Sequence, residues 1–326
     1  MNIVNDRGVT MEVESKKEVS MTELFFDLVF VYVLSSINHT VEEISHNLMS
    51  LEELGKSFMM FLVFFSIWIY RTLLVNRFFS KKWYQYLFVF IDMFLIIILS
   101  RAINGNFQET FTPFVVMTSL IYLSIFIQYF INYKLTHSQV DFNLVKVYTS
   151  GLLLSIILSL ASLFIASPIN FWIYFIAIVI VAVFPLIFYS VSNRNAVFFN
   201  HLTERLSLLV ILLFGEGIVL LIQNIELAHL NFTYVLYFIF ITCLFLIYVF
   251  HYKETDKKTD NHTGFTTIYT HLFLIFSLDT LFLVMNKSLL HHLSIIESIG
   301  APMFFIIFIL CITINIYLHK PKSSNA

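Results

Sequence analysis

Residues 147–166 read VYTSGLLLSIILSLASLFIA, twenty positions without one Asp, Glu, Lys or Arg. The hydrocarbon core of a bilayer is about 30 Å thick, and about 20 helical residues cross it with every backbone polar group bonded inside the segment. This stretch has the length and composition of such a crossing. Working outward, nine further stretches qualify: 22–38, 57–75, 84–101, 112–132, 170–191, 204–223, 232–250, 267–285 and 298–318. Those at 232–250 and 298–318 are also free of charge. The reading is an all-α, polytopic transmembrane helical bundle of about ten spans.

Composition agrees. The 326 residues are 59% hydrophobic and 12% charged, with a mean hydropathy of +0.84. That is roughly half the charge of a soluble domain. The 38 Phe suit surfaces that need bulk without polarity in lipid. A net charge of −2 offers no basic face to nucleic acid. Cys243 and Cys311 lie inside apolar stretches, so neither a disulfide framework nor a zinc spacing is expected. HExxH, GxSxG and P-loop motifs are absent from the sequence, and an enzyme or a bound cofactor is not expected. No A-x-A-like site follows the first apolar run, which reads as a retained helix.

Lys and Arg orient the spans. With the N-terminus inside, sixteen fall on the cytoplasmic side, among them Lys16, Lys17, Arg71, Arg77, Lys81, Lys82, Arg194, Arg205 and Lys320, and three (Lys56, Arg101, Lys287) on the outer side. Cytoplasmic loops carry such an excess. The expected layout is a cytoplasmic segment 1–20, one membrane domain 21–319 and a cytoplasmic tail 320–326, in the cell membrane. Pro185 is expected to bend the sixth span in mid-course, because proline removes a helix hydrogen bond.

The chain shows signs of an internal repeat. Thr22-Glu23 opens the first span and Thr203-Glu204 the seventh, 181 residues later. Asp92 in the third span and Asp279 in the ninth are 187 apart. Spans one to four would then repeat as seven to ten in the same orientation, about an axis along the membrane normal. Thr-Glu pairs are also common helix caps, so chance coincidence stays open.

Charged side chains at bilayer depth cost roughly 3 kcal/mol each on insertion scales, so those present are expected to face the protein interior. At about 1.5 Å per residue, Asp92 lies about 12 Å into its span, and Glu216 and Asp279 about 18 Å into theirs. No Lys or Arg is expected at that depth. These three acids, with the flanking Gly215 and Gly217, are the candidate path for protons or small cations. The two glycines are read either as a kinked or partly unwound segment beside Glu216 or as a close helix contact. Glu23 and Asp27 lie one turn apart near the cytoplasmic side. Arg205 is expected to pair with one of them, with Glu204 and Arg77 as neighbours in the same ion-pair seam. His271 is read as a proton relay or as a hydrogen-bonded packing residue. His39 and His291-His292 are read as interfacial.

Three segments carry a family likeness. Glu23-Leu24-Phe25-Phe26-Asp27-Leu28-Val29-Phe30-Val31, Asn76-Arg77-Phe78, and Glu204-Arg205 followed by Leu213-Phe214-Gly215-Glu216-Gly217 occur in order along both halves. They resemble the bacterial low temperature requirement protein A family over about residues 16–318. The resemblance implies a multi-span membrane protein whose family name records growth in the cold and not a reaction. Two functions follow as expectations: a transporter or channel for protons, small cations or a proton-coupled solute, and a non-catalytic membrane scaffold or stress factor. The expected partners are the lipid bilayer and protons or small cations, and a homo-oligomer stays open.

Overall fold

The computed structural model describes residues 18–44, 51–78, 82–103, 107–135, 140, 142–225, 231–255, 263–290 and 295–318. The N-terminal segment to residue 17, the tail from 319, the His39 side chain and His291-His292 lie outside what is described. Among the described residues there are eleven helices and no strand. They are α1 (Met21–Ile44), α2 (Leu51–Phe78), α3 (Trp83–Arg101), α4 (Phe107–Leu135), α5 (Phe142–Ser162), α6 (Ile169–Ile187), α7 (Tyr189–Arg194), α8 (Phe199–Gln223), α9 (Phe232–Thr255), α10 (Phe265–Leu290) and α11 (Ile295–Leu318). All but α7 are long and apolar enough to cross a membrane.

Burial is distributed as lipid demands. α2 stands at the centre, with 94% of its apolar window buried, whereas the same measure is 17% for α9. The outer helices stay apolar on their bare faces, as Leu236 and Phe238 of α9 do, because their solvent is hydrocarbon. α1 packs on α2 and α3, and α4 on α2 and α3. The second half uses the same four pairings: α8 on α9 and α10, and α11 on α9 and α10. α5 and α6 pack on each other and cover α4 and α2. The halves meet where α1 and α2 face α8 and α10.

Pro185 acts at the end of its helix instead of the middle. α6 stops at Ile187, and the short α7 follows after Phe188. Proline cannot bond the carbonyl four residues back. That carbonyl, of Val181, accepts the Tyr70 hydroxyl of α2 at 3.2 Å, and the next, of Ala182, accepts Tyr269 of α10 at 2.5 Å. Two interior tyrosines thereby tie α2 and α10 to the end of α6.

Candidate functional site

The acids sort into two layers. The inner layer begins on α1. Asp27 is fully buried and bound at Oδ1 by Arg205 Nη2 (2.5 Å) and Trp68 Nε1 (2.8 Å), and at Oδ2 by Arg205 Nε (3.3 Å). The Arg205 guanidinium also stacks 5.3 Å over the Trp68 ring. A buried carboxylate with three charge-matched or N–H donors offsets its desolvation in this way. Glu23, one turn earlier, caps α1: its Oε2 accepts Ser20 N–H (2.7 Å) and Ser20 Oγ (2.8 Å). Its Oε1 lies 3.1 Å from His201 Nε2 and 4.0 Å from Arg205 Nη1. These contacts are electrostatic, since none of the three atoms has an aligned hydrogen bond.

Asn76 sets the His201 ring. Its Oδ1 accepts Phe198 N–H (2.9 Å), and its Nδ2 donates to the Phe198 carbonyl (3.1 Å) and faces His201 Nδ1 (3.1 Å). An amide held that way round offers Nδ1 a donor, so the ring hydrogen sits on Nε2, toward Glu23.

Asp92 of α3 also belongs here, which corrects its place in a trio without cations. Arg71 Nη1 is 3.6 Å from its Oδ2. Ser124 Oγ donates to Oδ1 (2.6 Å) and Gln128 Nε2 to Oδ2 (2.9 Å), while Arg71 also bonds Gln128 Oε1. The reason is helix length. α2 continues to Phe78, seven residues beyond Arg71, so this arginine lies roughly 10 Å inside the bundle. Arg71 thus holds Asp92 as Arg205 holds Asp27, with Glu23 4.0 Å from the same Arg205.

Arg77 lies outside this set, against the expectation of a shared seam. Its Nε and Nη2 donate to the Asn195 carbonyl (3.2 and 3.1 Å), and its guanidinium lies 5.5 Å over Tyr148. It fastens the end of α2 to the segment after α7. Glu204 is half-buried at the start of α8, where its carbonyl accepts Ser207 Oγ (2.7 Å).

The outer layer holds the remaining acids. Glu216 Oε1 accepts Ser35 Oγ at 2.5 Å, and Asp279 Oδ1 accepts Asn38 Nδ2 at 2.8 Å. Their partners Ser35 and Asn38 stand one turn apart on α1, which makes the two carboxyls neighbours. Neither makes an ion pair among the described residues. Counted from the N-terminal ends of their helices, Asp279 lies roughly 21 Å and Glu216 roughly 25 Å in, against roughly 13 Å for Asp92. Asp92 and Asp279 thus differ in depth and in partners, and their spacing does not mark equivalent positions. α8 runs unbroken through Gly215 and Gly217, so Glu216 is not on an unwound segment. A side chain at Gly217 would meet the Phe282 ring at 2.8 Å, whereas Gly215 has open space around it. Gly217 lets α8 and α10 approach.

His271 is engaged away from the acids. Its Nδ1 faces the Thr267 carbonyl (2.8 Å) and its Nε2 the Tyr248 hydroxyl (3.1 Å), with the His251 ring 6.1 Å away. Sequence reasoning missed Ser35, Asn38, Trp68, Ser124, Gln128 and His201, and met Asn76 only within the family likeness. The available signal was the rarity of Asn, Gln and His inside apolar spans. Among the described residues no three His, Cys, Asp or Glu are placed to hold a metal ion.

Ten apolar spans around two buried polar layers define a multi-pass integral membrane protein of the helical-bundle class. Residues 18–325 match the family described as bacterial low temperature requirement A protein (LtrA), and the chain belongs to that family. No curated protein and no solved structure matches it.

Proposed function

We propose that this protein moves protons or small cations across the bilayer through the outer-layer pair Glu216 and Asp279. The observation that carries the reading is the contrast between the layers. Asp27 and Asp92 are each paired with an arginine, Arg205 and Arg71, whereas among the described residues Glu216 and Asp279 are bonded by a serine hydroxyl and an asparagine amide and make no ion pair. Two neighbouring carboxyls in hydrocarbon without a cation take up protons or a hard cation, because two bare charges there are too costly. Glu216 is half-buried and Asp279 is buried. The inner layer, with Arg205 clamped on Asp27, serves as the closed cytoplasmic barrier in this reading.

Proteoliposomes with a fluorescent pH or cation reporter test it. Wild type is expected to carry a flux that Glu216→Gln and Asp279→Asn each lower at least tenfold. Equal flux in wild type and variants, or none in wild type, would remove the conduit and leave the scaffold role.

A further inference from the structure

The two four-helix units have the same ring order, with the first helix beside the second and third and the fourth completing the ring. They meet through unlike edges. The first unit offers its first and second helices, α1 and α2, and the second unit offers its first and third, α8 and α10. A half turn would bring like edges together. Unlike edges of this kind are related by about a quarter turn, and such head-to-tail contacts leave one complementary pair of edges unsatisfied. Here the bare pair is α8/α9 on one side and α1/α3 on the other.

Residue burial follows the same logic under the 181-residue register. The bare stripe of α1, Met21, Phe25, Leu28 and Tyr32, maps onto Leu202, Leu206, Leu209 and Leu213 of α8, which are wholly buried. In the other direction, buried Phe30 and Leu34 of α1 map onto exposed Ile211 and Gly215 of α8. The central α2 likewise corresponds to α9, the least covered span. These stripes of α1 and α8 exchange burial between the two units. Glu216 lies beside that bare stripe, where hydrocarbon is a costly neighbour for a carboxyl.

We propose that a second copy of this chain covers these faces, α8 and α9 of one copy packing on α1 and α3 of the other. Four quarter turns close a ring, so two chains suffice. Ser35 and Glu216 are equivalent positions that bond each other within the chain. Repeating that contact sets Glu216 against the partner's Ser35, so two serines and two glutamates alternate around one axis. The same operation carries the Asp27–Arg205 contact onto Leu208 against the partner's Leu24. The dimer is independent of the transport reading, which fails separately if dimers form and carry no flux.

The test measures particle mass of the wild-type protein in lipid nanodiscs over a range of protein-to-lipid ratios. It adds disulfide trapping of Leu24→Cys with Leu208→Cys in a Cys243→Ser background. Two chains per particle and an interchain disulfide band are expected. A control pair, Leu24→Cys with Ile157→Cys on the lipid face of α5, should give no band. One chain per particle at every ratio, or equal bands from both pairs, overturns the inference.

Discussion

Gly215 and Gly217 flank one carboxyl, yet a methyl group added at each meets different surroundings. At Gly217 it would press on Phe282 at 2.8 Å, and at Gly215 it would meet nothing. Gly217→Ala is expected to destabilise by about 1–3 kcal/mol, the usual cost of overpacking, and Phe282→Leu should recover much of the loss. Gly215→Ala should be neutral or stabilise by about 0.4–1 kcal/mol, since alanine lowers the entropy of the unfolded chain. Thermal midpoints in nanodiscs separate the two. The Arg205–Asp27 pair behaves differently, because each partner is buried. Arg205→Gln or Asp27→Asn alone should cost about 3–5 kcal/mol by leaving one charge uncompensated. The reversed pair, Arg205→Glu with Asp27→Arg, should be less damaged than the sum of its single reversals; a double variant worse than that sum would sink the pairing. This partnership was legible as a choice between Glu23 and Asp27. Trp68, which comes from another helix and finishes the site, was not.

Helix ends were the hardest feature to read from composition. Pro185 was read as a mid-course bend, but a proline states only which hydrogen bond is missing. The tyrosines that bond the Val181 carbonyl freed by the proline and its neighbour Ala182 sit 111 and 87 residues away along the chain. Tyr70→Phe should therefore cost about 1 kcal/mol by leaving the Val181 carbonyl unsatisfied. In a Pro185→Ala background the restored N–H can bond that carbonyl, and the Tyr70→Phe penalty should shrink. A penalty that is the same in both backgrounds would refute the account. The end of α2 taught a related lesson. Apolar counting stopped the second span at residue 75, and the three residues beyond it carry Arg71 into the bundle and onto Asp92.

Across the bundle, the separation of the acids into layers predicts chemical accessibility. A hydrophobic carbodiimide applied to the folded protein in membranes should label Glu216, which is half-buried, and spare Asp27 and Asp92, which are fully buried and held by arginine. Peptide mass spectrometry reads the pattern. Label on Asp92 at the rate of Glu216 would join the two layers again. Lys and Arg counting placed Arg71 and Arg205 with the cytoplasmic loops, yet both are side chains of the interior. A loop charge and a buried ion-pair partner look alike in a linear sequence, since the tally registers position and not direction.

Span number follows from local composition, because the free energy of placing a helix in lipid is close to a sum over its own residues, and family kinship follows from short local motifs. Which acid meets which partner depends on how helices far apart in sequence lean on one another. Ser35 with Glu216, Asn38 with Asp279 and Arg71 with Asp92 each join separate spans. Those pairings arise from side-chain reach and helix register, which exist only once the bundle has assembled. They separated three mid-span acids into one, Asp92, paired with an arginine and two, Glu216 and Asp279, that make no ion pair among the described residues.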